Sequence, residues 1–87
     1  MHCVYILQST KDKNLYIGCT NDLEKRLLLH NKGKIFSTQR RKPLKLIHYE
    51  AFLNQKDAFD REQWLKTGWG HNQIKKILNN YFKNLGG

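Results

Sequence analysis

The strongest constraint on the fold lies near the N-terminus. Residues 3–8, Cys-Val-Tyr-Ile-Leu-Gln, are β-branched, aromatic and aliphatic, and Leu15-Tyr16-Ile17-Gly18 repeats that character after the polar stretch Lys11-Asp12-Lys13-Asn14. Two strand-like runs joined by so short a turn-forming segment read as an antiparallel hairpin. Register decides what the hairpin carries. If paired positions sum to 21, Tyr5 lies opposite Tyr16 and the rings share a face; if they sum to 22, Cys3 lies opposite Cys19, close enough for a disulfide, and the tyrosines part to opposite faces.

The remainder alternates helix and strand. Asn21 and Glu24 form an approximate capping box for a helix whose buried stripe is Leu23, Leu27 and Leu28, with Gly33 as its stop. Arg26 and His30 stand one turn apart on a second face. A basic loop then runs to Pro43. Leu44 to Phe52 reads as a third strand, with Leu44, Leu46 and His48 on one face and Lys45, Ile47 and Tyr49 on the other. A second helix, about Gln55 to Thr67, is capped by Asn54 and followed by Gly68. Its inward stripe is Ala58, Phe59, Glu62, Leu65 and Trp69. A last helix covers about Asn72 to Asn84 and buries Ile74, Ile77, Leu78, Tyr81 and Phe82. The expected fold class is α+β, a small three-stranded antiparallel sheet flanked by helices in the order β-β-α-β-α-α.

Length and charge narrow the function. With 87 residues, the expectation is a single domain, 1–87. Its one core buries about 60–65% of the unfolded surface, which leaves no room for a large interdomain cavity. No apolar run approaches the ~18 residues of a membrane span, and no leader-like segment opens the chain, so a cytoplasmic location and no membrane partner are expected. Sixteen Lys plus Arg against seven Asp plus Glu give a net charge of +9. The charge is segregated: Lys25, Arg26, Lys32, Lys34, Arg40, Arg41, Lys42 and Lys45 follow one another without an acid, and no acid follows Glu62. Such a field attracts a polyanion, with nucleic acid the first candidate.

Three groups of residues could carry chemistry. Glu62 falls in the centre of an apolar stripe, where an unpaired carboxylate costs several kcal/mol. Either it forms a salt bridge, with Lys66 one turn on or with Arg26 across the fold, or it ligates a hard cation such as Mg²⁺. Arg26 and His30 form either a solvated basic face or a phosphate grip beside a proton acceptor. Tyr5 and Tyr16 alone would read as core. The cysteines and histidines show no CxxC or HxxxH spacing for zinc.

Taken in order, Val4-Tyr5-Ile6, Tyr16-Ile17-Gly18, the helix Asn21-Asp22-Leu23-Glu24-Lys25-Arg26-Leu27, His30, Lys42-Pro43-Leu44-Lys45-Leu46-Ile47, Arg61-Glu62 and Leu65-Lys66 closely resemble the GIY-YIG nuclease superfamily, in its small stand-alone bacterial form. The resemblance implies metal-dependent hydrolysis of a phosphodiester, leaving 5′-phosphate and 3′-hydroxyl ends. It implies a single divalent cation, Mg²⁺ or Mn²⁺, held at Glu62, with Tyr5, Tyr16, Arg26 and His30 as the other catalytic positions. The expected substrate is DNA rather than RNA, chosen by structure or with low sequence preference. Lys25, Lys34, Arg40, Arg41, Lys42 and Lys45 would hold the backbone, and a partner protein would supply target choice. The resemblance favours Tyr5 as the base. A phenol with a reference pKa near 10 is only about 0.1% ionised at neutral pH, so His30, near 6.5, is its rival.

The sequence departs from the family pattern in two places. Val4 replaces the first glycine, and Cys19 stands where some members carry a lysine. Asn72 is the nearest candidate for an asparagine that many members place after the glutamate helix. The missing lysine motivates an alternative function, a non-catalytic module binding branched DNA or structured RNA.

Overall fold

A computed structural model describes residues 1–85. Its elements are β1 (His2–Ser9), β2 (Leu15–Thr20), α1 (Leu23–Asn31), β3 (Leu44–Phe52), α2 (Gln55–Leu65), α3 (Gly68–Ile77) and α4 (Asn79–Leu85). The three strands form one antiparallel sheet in the order β2-β1-β3. The α+β class and the strand–helix order are those expected, with one helix more. The single C-terminal helix of the sequence reading is two. It begins earlier, because the Thr67 hydroxyl accepts from Gly70 N–H and caps a helix that opens at Gly68. It breaks at Leu78, after which Asn79 and Asn80 suit a helix start better than a helix interior. Ile77 is exposed rather than buried.

The hairpin register is neither of the two expected. Tyr5 pairs with Gly18 and Leu7 with Tyr16, so paired positions sum to 23. The turn explains the slip. Ser9 Oγ accepts from the backbone N–H groups of Lys11 and Asp12, and Lys13 N–H closes onto Ser9 C=O at 2.9 Å. Lys13 itself takes a positive φ of 66°. A hydroxyl-stitched loop thus replaces the tighter turn that either expected register needs. Tyr5 and Tyr16 still share a face, as diagonal neighbours. Cys3 pairs with Thr20 and Cys19 with Val4, which places the two thiols on opposite faces, and both are free.

β1 is covered on both sides. On one face Val4 and Ile6 pack with Ala58 and Leu65 of α2 and Ile74 of α3. On the other, Tyr5, Leu7 and Leu44 pack with Leu23 and Leu27 of α1. α1 is capped one residue later than expected: Asp22, rather than Asn21, accepts from Lys25 N–H at 3.1 Å. Gly33 stops it, with a φ of 73°. Leu28 lies about 100° around the helix from Leu27 and is exposed, so it does not widen the stripe. α2 is capped by Asn54 as expected but ends at Leu65. Phe59 and Trp69 were expected inward; they are 51% and 79% exposed. The sheet-facing row of α2 is Ala58, Glu62 and Leu65, and Phe59 stands beside it.

β3 does not alternate strictly. A bulge falls between the pairs Ile6–His48 and Leu7–Leu46, so Ile47 is extra. Leu44 and Leu46 therefore face α1, whereas His48 and Glu50 turn to the α2 side. There Arg61 Nε and Nη2 hold the two carboxylate oxygens of Glu50 at 2.8 and 3.1 Å, and His48 Nε2 lies 3.0 Å from the same group. The paired Arg61 N–H groups hold the Glu50 carboxyl below the usual carboxylate range. This clamp fixes α2 one residue from Glu62.

Asn31 ties α1 to β3. Its amide donates to Leu44 C=O at 3.0 Å and accepts from Leu44 N–H at 2.7 Å, standing in for a neighbouring strand. Leu44 is 4% exposed, so Asn31→Ala leaves two buried backbone groups unpaired. The expected cost is about 1–3 kcal/mol, read as a lower urea midpoint with an unchanged slope. An unchanged midpoint would show that water replaces the amide.

Candidate active site

The two helical layers meet around the free edge of β2, and a cleft of about 550 Å³ opens there. Tyr5, Tyr16, Arg26, His30 and Glu62 all line it. The edge strand brings them together: Tyr5, Tyr16 and the α1 residues lie on one side of the sheet, Glu62 on the other, and only past β2 can the two sets share a space. Gly18 makes room. A Cβ there would collide with the Tyr5 hydroxyl, so the Tyr5 ring reaches the cleft across the bare backbone of its paired residue.

Tyr5 and His30 form the buried part of the site, at 5% and 4% exposure. The Tyr5 hydroxyl lies 3.0 Å from His30 Nε2, and His30 Nδ1 lies 2.6 Å from Thr38 Oγ1. The imidazole is thus held at both nitrogens, with its ring edge-on to Tyr5. Thr38 is fully buried in the loop between α1 and β3. Burial pushes the Tyr5 phenol above its ordinary value; the Arg26 guanidinium opposes this, and Glu62 and Cys19 add to the rise. Burial, and then Arg26, hold the His30 imidazole below its ordinary value. Both effects favour neutral partners, and a neutral imidazole can accept a proton from the phenol.

Glu62 is the one carboxylate among the residues lining the cleft. Its side chain is 13% exposed and its Oε2 lies 3.2 Å from Lys66 Nζ, so the salt bridge read from the sequence is present. Among the described residues no three His, Cys, Asp or Glu side chains group to hold a metal ion. A single carboxylate in an open, polar cleft suits a hard cation that keeps most of its water and takes phosphate oxygens as further ligands. Glu62 would hold such an ion, and Lys66 would have to release one carboxylate oxygen to admit it.

The backbone-binding candidates lie elsewhere. None of Lys25, Lys34, Arg40, Arg41, Lys42 and Lys45 lines the cleft. Arg41 Nε pairs with Asp12 of the hairpin turn at 3.3 Å. Lys45 Nζ sits 5.4 Å over the Tyr81 ring of α4. Asn72 lines a separate cleft with Trp64 and Trp69, while its neighbour His71 lines the main one with Lys66. Thr38, Lys66 and His71 were not singled out as site residues from the sequence. Lys66 alone had a signal there, its spacing from Glu62.

The family model of the GIY-YIG catalytic domain matches residues 1–84. The chain belongs to the GIY-YIG family. It is similar to a UPF0213 protein of Clostridium perfringens, 46% identical over 84 residues covering 95% of this chain and 89% of that protein. A UPF0213 protein of Lactococcus lactis subsp. cremoris is 44% identical over 84 residues, 94% and 85% of the two chains. One from Staphylococcus haemolyticus is 38% identical over 77 residues, 87% and 93%. The GIY-YIG family is one of nucleases, which act on nucleic acid and generally use a divalent metal. No helix among the described residues is long and apolar enough to cross a membrane.

Both departures from the GIY-YIG pattern have a physical reading. Val4 is 1% exposed and packs in the core against α2 and α3, a position where a larger apolar side chain adds burial. Cys19 lines the cleft with its thiol pushed up by burial and by Glu62, and it supplies no cation beside Tyr5 in place of the lysine. Arg26 and Lys66 are the cations of the cleft lining.

Proposed function

We propose that residues 1–87 form a single-domain endonuclease that hydrolyses DNA phosphodiester bonds with one Mg²⁺ or Mn²⁺, selecting substrates by structure rather than sequence. The observation that supports it most is the convergence of Tyr5, Tyr16, Arg26, His30 and Glu62 on one cleft, with Tyr5 hydrogen-bonded to His30. A cation at Glu62 would supply positive charge for the phosphate oxygens and the leaving oxygen. Arg26 grips the phosphate from the other helical layer with its planar fork and stabilises the charge that grows in the transition state.

The proton of the attacking water passes to Tyr5 as the Tyr5 proton passes to His30 Nε2. In this tautomer Nδ1–H donates to Thr38, which keeps Nε2 open. The relay needs no resting tyrosinate, which burial disfavours, and it uses the neutral imidazole that burial favours. Tyr5 is then the group that touches water and His30 the final acceptor, so the two candidate bases share one role. Tyr16 completes the wall of the cleft beside Tyr5.

The test incubates the protein with flapped, nicked, branched and continuous duplex DNA and with matched RNA, with Mg²⁺, Mn²⁺ or EDTA. The expected result is metal-dependent cleavage of discontinuous DNA, leaving 5′-phosphate ends. Salt-sensitive binding without cleavage under either metal would replace the nuclease reading with the binding module.

A further inference from the structure

A second cleft, of about 400 Å³, adjoins the first and shares Cys19, Arg26 and Glu62 with it. The two form arms of one groove that passes over the arginine and the glutamate. The second arm adds Phe59, Gln55 and Asn21. Phe59 is half exposed, and it is the phenylalanine that lines this groove. It stands three residues before Glu62 on α2, so the ring and the carboxylate are neighbours on the helix surface.

We propose that Phe59 is the stacking platform of a subsite for one unpaired nucleobase, flanking the phosphate that Arg26 grips beside Glu62. The inference rests on the reading of that site as a phosphodiesterase and names the feature of the substrate it selects. An exposed aromatic ring next to a phosphate grip offers a base what water cannot, a flat apolar face. In continuous duplex both faces of each base are already stacked, and only a flap, a gap or a flipped nucleotide presents a free one. The amides of Asn21 and Gln55 each carry donor and acceptor atoms, so they can meet the edge of any base. The arm's volume lies within the range of small-ligand sites, roughly 300–1,000 Å³. The neighbours of Phe59 in this arm also argue against a protein partner there. Apart from Cys19 they are polar or charged, whereas the core of a docking surface would gather further apolar side chains.

The test is an abasic scan. A labelled flap DNA carries one abasic nucleotide at successive positions around the junction, and binding is followed by anisotropy in EDTA. For the wild type, one position should weaken binding about ten-fold. Phe59→Ala and Phe59→Leu should lose the same factor on intact DNA and nothing more at that position. Phe59→Trp should keep the wild-type profile. Because Leu and Trp both preserve apolar bulk, their divergence separates stacking from folding, and thermal melts of all three variants check this directly.

A flat wild-type profile, or a stepped profile that survives in Phe59→Ala, would overturn the subsite. The scan needs no turnover. A stepped profile from a protein that cleaves nothing would remove the nuclease reading and leave the subsite standing. Cleavage with a flat profile would do the reverse.

Discussion

Glu62→Gln stops cleavage, with a rate loss of about 10³-fold and nearly unchanged DNA binding. The amide keeps the shape of the side chain but carries no charge, and it is the charge that a hydrated cation needs from a site offering one carboxylate. The fold should tolerate the change. Glu62 sits in the sheet-facing row of α2, where a neutral amide is easier to bury than a carboxylate. Its partner Lys66 is 47% exposed and can turn to water, so the lost pair is worth at most about 1 kcal/mol. Cleavage of a fluorescent flap substrate across a Mn²⁺ titration measures the effect. Activity within about ten-fold of wild type at saturating metal would remove Glu62 from the metal role.

Tyr5→Phe lowers the rate by about 10²- to 10⁴-fold, the range expected when a positioned proton carrier is removed. The ring still fills its place over Gly18. The loss is the hydroxyl, which leaves His30 Nε2 without its partner at a cost of about 1 kcal/mol in stability. The pH profile separates the members of the relay. Protonated His30 cannot accept, so the wild-type rate should fall toward acid through a value below that of a free imidazole, as burial and Arg26 dictate. His30→Ala should remove that acid limb along with most of the rate. Full activity in Tyr5→Phe would mean that the water loses its proton without the phenol.

Much of the architecture was legible because it depends on local pattern. The β-branched runs around Tyr5 and Tyr16, the cap at Asn54 and the placement of Glu62 among apolar residues needed no tertiary knowledge. The register hangs on the detailed geometry of the turn rather than on a pattern of residue types. It rests on Ser9 accepting two backbone N–H groups and on the positive φ of Lys13, and neither is written in composition. Thr38 was invisible for a different reason: a threonine in a basic loop acquires its role only when the loop folds under His30. Phe59 shows the limit of helical periodicity. Ala58, Glu62 and Leu65 face the sheet, Phe59 flanks them by about 100°, and a generous stripe absorbs it wrongly.

The bulge at Ile47 gives β3 a frame, in the sense in which a coding message has one. Before it, residues two apart answer to α1; after it, the same count answers to α2. Were Ile47 paired in the ladder instead of bulged out of it, the second half of the strand would fall out of phase and Glu50 would turn away from Arg61, the grip that seats α2. That one unpaired residue thus bears on the placement of Glu62 through the strand's counting, although Ile47 lines neither arm of the groove.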